Sequence, residues 1–165
     1  MKRLYLSSYK FGQAPQELGA LVERGTRGAI VMNALDAYGP RLPHQVDASI
    51  QGLADLGIGA EELDLRDYFG QSERLRERLR QVGLIWVVGG NAFLLRRAMK
   101  ASGLDELAQA RVQDGSLVWA GFSAGAIVST PTLKGIEIVD DPDSAPKGYE
   151  DTEVVWDGLG LVGYS

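Results

Sequence analysis

The chain has no cysteine, which excludes disulfides, thiolate catalysis and thiolate-bound zinc. Imidazole is nearly missing as well: among 165 residues only His44 carries one. Positive charge is not in excess, since the net charge is -5, and this argues against nucleic acid, whose phosphates need a basic surface. No apolar run is long. The longest, Leu84 to Leu95, falls short of the roughly 20 residues that span a bilayer, and Gly89-Gly90-Asn91 interrupts it, so no membrane association is expected. Lys2 and Arg3 precede Leu4-Tyr5-Leu6-Ser7-Ser8-Tyr9-Lys10, a segment too short and polar for a signal sequence. These absences describe a soluble, cytoplasmic protein, and 165 residues with 45% apolar content suit one domain spanning residues 1–165.

What is present is alternation. Arg3–Ser7, Ala29–Asn33, Leu84–Val88 and Leu117–Ala120 have the continuous apolar character of strands buried on both faces. Helical spacing falls between them. Gln45–Leu56 sets Val46, Ile50, Leu53 and Leu56 on one face, and Ser72–Val82 does so with Leu75, Leu79 and Val82. Asn91–Ser102 ends at Gly103, a good residue to follow a helix, and Leu104–Gln113 is a further short helix. Glu62–Leu65 alternates as a fifth strand would, and Lys134–Val139 and Glu153–Trp156 are read as strands too. Strand and helix in turn predict a doubly wound α/β fold with a parallel sheet, whose ligands bind beyond the carboxyl ends of the strands.

Two motifs fall at such ends. Gly121-Phe122-Ser123-Ala124-Gly125 is a G-x-S-x-G pattern between an apolar strand and a small-residue helix start. That setting pushes a serine hydroxyl outward on a tight turn and points to a nucleophile; alone, the pattern also fits a serine that merely caps a helix. Gly89-Gly90-Asn91 also joins a strand to a helix, and its glycines let backbone N–H groups face a cleft, as an oxyanion hole requires. Glu137, Asp140 and Asp141, shortly after the serine, are candidates for the carboxylate that orients a catalytic imidazole. His44, 79 positions before Ser123, reads mainly as a surface residue at a helix start, although its loop is able to face the same edge.

Taken together, Val87-Val88-Gly89-Gly90-Asn91-Ala92-Phe93-Leu94-Leu95, Gly103-Leu104, Ala120 to Ala126 and Thr130-Pro131-Thr132 resemble the peptidase E (aspartyl dipeptidase) family of serine peptidases. The resemblance covers essentially the whole chain and is most specific from Leu84 to Pro142. It implies a three-layer α/β/α sandwich of the class I glutamine-amidotransferase-like, flavodoxin-like type. It also implies hydrolysis of dipeptides with N-terminal aspartate, without metal or cofactor. Ser123 matches the nucleophile, and Gly89, Gly90 and the N–H of Ala124 match the oxyanion hole. Aligning Asp141-Pro142 with the family's own Asp-Pro sets Glu137 nearest the acidic position. True glutamine amidotransferase chemistry is excluded, because it needs a cysteine.

The resemblance also carries a departure. In the family a catalytic histidine, in a Pro-His pair, follows a segment like Gly158-Leu159-Gly160-Leu161-Val162, and no such pair occurs by Ser165. The expectation is a peptidase scaffold with a nucleophile but no general base, hence little or no activity. The alternative is a silent binding module whose open sheet edge pairs with a second copy.

Overall fold

The computed structural model describes residues 1–163, and its centre is a sheet of five parallel strands. These are β1 (Arg3–Ser7), β2 (Arg27–Val31), β3 (Gly59–Glu62), β4 (Val82–Val87) and β5 (Val118–Phe122), in the order β1-β5-β4-β2-β3. Setting β1 aside, the remaining order is the flavodoxin-like 2-1-3-4, with the N-terminal strand filling the fifth place beside β5. The helices are α1 (Pro15–Ala20), α2 (Pro43–Ala54), α3 (Ser72–Arg78), α4 (Ala92–Ser102), α5 (Leu104–Asp114) and α6 (Ala124–Ile127).

The strands are apolar throughout because both faces are covered, and successive residues enter opposite cores. Along β4 and just beyond it, Leu84, Trp86 and Val88 join Leu18 of α1 and Leu53 of α2, whereas Ile85 and Val87 join the residues of α3, α4 and α5. Ala29 and Val31 alternate with Ile30 and Met32 in the same way. The three-layer α/β/α sandwich is thus present.

Several boundaries differ from the sequence reading. The third strand lies at Gly59–Glu62, and Leu65 opens a 3-10 turn, because Leu63 and Leu65 are drawn into the core as the chain leaves the sheet. The helix from Ser72 stops at Arg78, and Val82 begins β4. Helix α1 carries too short an apolar stripe to be seen, and Leu18 is its one fully buried residue.

The largest correction concerns residues 129–163, where the two expected strands do not form. Gly135 takes a left-handed φ of 96° and opens a 3-10 turn at Ile136–Ile138, which leaves Ile138 and Val139 85% and 76% exposed. Around Trp156, among the described residues, one isolated bridge forms, between Thr132 and Asp157. The chain instead folds across α4 as a strap. Arg96 of α4 holds the Asp157 carbonyl at 2.9 Å, and Arg97 holds the Pro142 and Thr152 carbonyls at 3.0 Å each. Buried Leu133, Tyr149, Leu159 and Leu161 supply its apolar anchors.

Candidate active site

Ser123 sits at the carboxyl end of β5, exposed, with φ 50° and ψ -117°. A non-glycine residue in that region costs of order 1–3 kcal/mol and is held only by its surroundings. Those surroundings are visible. A Cβ at Gly121 would come within 2.8 Å of the Val87 carbonyl oxygen, and a Cβ at Gly125 would drive into the same atom. The elbow can therefore press onto β4 only with glycine at both ends. The Ser123 N–H donates to the Ser7 carbonyl at 3.2 Å, while its hydroxyl makes no capping bond to α6. The plain capping role is thereby set aside.

Three loops meet here. The Val88 N–H donates to the Val31 carbonyl and the Asn91 N–H to the Ala34 carbonyl, each at 2.9 Å, which joins the turn after β4 to that after β2. Gly90 has φ 146°, and a Cβ on it would lie 2.5 Å from the Ala34 oxygen; a Cβ on Gly89 would lie 2.9 Å from the Ser123 Cβ. Both glycines are required for this close approach. Among the described residues, the N–H groups of Gly89, Gly90 and Ala124 pair with no acceptor. Free N–H groups flanking an exposed serine hydroxyl are the elements of an oxyanion hole. Beyond them, Asn91 caps α4 by accepting from the Leu94 N–H at 2.9 Å.

Because β2 leads to α2 on one face and β4 to α4 on the other, a crevice opens between their loops. It is a cleft of about 790 Å³ lined by Ser123, Gly89 and Gly90, by Tyr9, Phe11, Trp86 and Phe122, and by His44, Ala48 and Gly52 of α2. The size is that of a small-molecule site. His44, set aside in the sequence as a surface residue, is exposed and shares the cleft with Ser123. The aromatic residues were missed because, in sequence, they are scattered members of strands and loops.

The acidic candidates part company. Glu137 is exposed on its 3-10 turn, accepts from its own Gly135 N–H at 2.6 Å, and is not among the residues lining the cleft. Asp140 accepts from the Ala92 N–H at 2.8 Å, and the Asp141 carbonyl accepts from Asn91 Nδ2 at 3.0 Å. The strap is thus tied to the start of α4, two residues beyond Gly90.

A second polar cluster lies beyond the ends of β2 and β3. Buried Asp36 accepts from Tyr149 Oη at 2.6 Å and from Asn33 Nδ2 at 2.9 Å, and pairs with Arg41 at 2.9 Å. Arg41 also pairs with Glu62 and Asp64, and Arg66 with Asp64 at 2.6 Å. Burial alone would push the Asp64 carboxyl up, but hydrogen bonds from Arg66 and Asn33, with the charge of Arg41, hold it well below the usual carboxylate range. The Tyr149 hydroxyl is driven far above its ordinary value, by burial first and then by Asp36. No sequence signal announces this cluster, whose members are up to 116 positions apart. Among the described residues, no group of three or more His, Cys, Asp or Glu side chains is arranged to hold a metal.

Residues 42–164 match the family model of peptidase family S51. The chain belongs to peptidase family S51. It is 35% identical over 123 residues to "Uncharacterized peptidase Lmo0363" of Listeria monocytogenes, covering 73% of this chain and 55% of that protein. It is 31% identical over 101 residues to "Uncharacterized peptidase PM1590" of Pasteurella multocida, covering 61% and 47%. The chain thus spans about half the length of these curated relatives. Among solved structures, a Listeria monocytogenes protein described as a "Putative Peptidase E Protein" superposes with a TM-score of 0.76 at 27% identity, over 98% of this chain and 76% of that one. A peptidase from an acI-B1 actinobacterium has the same fold, with a TM-score of 0.56 at 20% identity over 80% and 58% of the two chains. The S51 assignment agrees with the peptidase E resemblance. No helix among the described residues is long and apolar enough to cross a membrane.

Proposed function

We propose that this S51 chain is a serine-type peptidase scaffold that acts on small peptides, with Ser123 as nucleophile and the N–H groups of Gly89, Gly90 and Ala124 as its oxyanion hole. The observation that carries the proposal is the strained, exposed Ser123 beside three N–H groups that have no acceptor among the described residues. In the reaction the Ser123 hydroxyl adds to the peptide carbonyl, its proton passes to a base, and the resulting oxyanion is held by those N–H groups. The peptidase E resemblance adds Glu137 as the acidic partner and dipeptides with N-terminal aspartate as substrates.

Within these 165 residues the one imidazole is His44. Loss of a triad histidine lowers turnover by roughly 10⁶-fold, so this polypeptide is expected to hydrolyse Asp-X dipeptides very weakly. Weak turnover that disappears in Ser123→Ala fits the proposal. Family-like rates, lost in both Ser123→Ala and His44→Ala, would make His44 the base. Turnover that survives Ser123→Ala overturns the assignment.

A second reading is a silent module that pairs with another copy. Strand β1 is at the sheet edge, half-buried, and among the described residues it pairs only with β5. Sedimentation showing a monomer throughout a dilution series would contradict this reading.

A further inference from the structure

We propose that the cleft beside Ser123 is a subsite for an apolar, preferably aromatic, side chain of the peptide. The inference rests on Ser123 as the reacting serine, and it extends the substrate class for that site: the subsite takes the residue that follows the N-terminal aspartate.

The cleft is walled by a continuous run of rings. Phe11 lies flat on Trp86, with centroids 4.3 Å apart and planes 7° apart. Trp86 meets Phe122 at 5.9 Å, and Phe122 meets Tyr9 edge-on at 6.3 Å. This run begins next to the nucleophile, because Phe122 directly precedes Ser123. Ala48 and Ser49, small residues of α2, complete the lining, and Gly52 of the same helix packs directly on Phe11. A side chain on Gly52 would strike the Phe11 ring, so the glycine is what lets Phe11 lie against Trp86.

The charges, too, are wrong for a carboxylate side chain. Apart from His44, the only cationic side chain among the described residues lining the cleft is Lys10, whose Nζ rests 5.1 Å from the centroid of the Tyr9 ring. Asp55 at another part of the lining adds negative charge. The guanidinium groups of Arg41 and Arg66 are engaged in the separate cluster with Asp36 and Asp64. An aromatic residue here would stack against rings, whereas aspartate would lose water without gaining a guanidinium.

The test is a binding titration of the whole chain by NMR with N-acetyl-phenylalaninamide and N-acetyl-aspartamide, a readout that needs no turnover. The phenylalanine amide is expected to bind at least tenfold more tightly, and to shift the indole N–H resonance of Trp86. Ala48→Trp, on an exposed position of α2, fills the cleft and is expected to abolish binding. Tyr9→Ala, at a residue 67% exposed, removes one ring without touching the core and is expected to weaken it several-fold. Because the titration needs no turnover, failure of the nucleophile in the Ser123→Ala assay and failure of the subsite here are told apart. The proposal is overturned by equal or tighter binding of the aspartate amide, by no binding of either, or by binding indifferent to both cleft variants.

Discussion

Ser123 is set apart by its backbone before any partner is considered. Its backbone is held in a costly conformation by contacts that tolerate only glycine at 121 and 125. Gly125→Ala forces a methyl group into the Val87 carbonyl oxygen, so α6 must lift from β4. A loss of about 1–3 kcal/mol is expected in chemical denaturation, typical of overpacking. Gly89→Ala acts differently: its Cβ crowds the Cβ of Ser123, and reactivity should fall further than stability. At this scale the sequence was highly legible, because a tight turn leaves its mark as glycines at fixed spacing. Glu137 was less so, since a carboxylate in a loop carries no sign of where its backbone will turn. His44 was legible as a residue, but its place on the cleft depends on how α2 lies against the sheet.

Among the elements, α4 joins site and strap. Its N-terminus receives Asn91 as cap, the Asp140 carboxylate at Ala92, and the Asp141 carbonyl on Asn91 Nδ2. Asn91→Ala removes the cap and one tether together, and is expected to cost about 0.5–2 kcal/mol, read as a lowered denaturation midpoint. Hydrogen exchange should rise over residues 136–144 in that variant. Tyr149→Phe removes the hydroxyl that donates to buried Asp36 and should destabilise by about 1–3 kcal/mol. Apart from α1 and the placing of β3, the strands and helices up to Asp114 were readable because periodic burial writes a periodic sequence. The strap was not: its order comes from Arg96 and Arg97 reaching across to carbonyl groups, and that pairing has no period.

For the whole molecule, the sheet order brings the ends of β2, β4 and β5 to one crevice, and the ion cluster beyond β2 and β3 locks the strap beside it. That cluster sets the response to pH. Asp64 binds its proton less tightly in the fold than in the unfolded chain, so its stabilisation is complete above the ordinary carboxylate value of about 4 and drains away as pH falls below it. Tyr149 acts in the opposite sense, contributing below the ordinary tyrosine value of about 10 and losing that contribution as pH rises past it. Tm should therefore fall at both extremes, with Asp64→Asn flattening the acid limb and Tyr149→Phe the alkaline one. The most direct test of Ser123 as nucleophile is prolonged reaction with a fluorophosphonate, followed by peptide mapping in a mass spectrometer. The account predicts one dominant adduct, on Ser123, reduced in Gly89→Ala and absent in Ser123→Ala. Adducts spread over other exposed serines, with none favoured at Ser123, would contradict it.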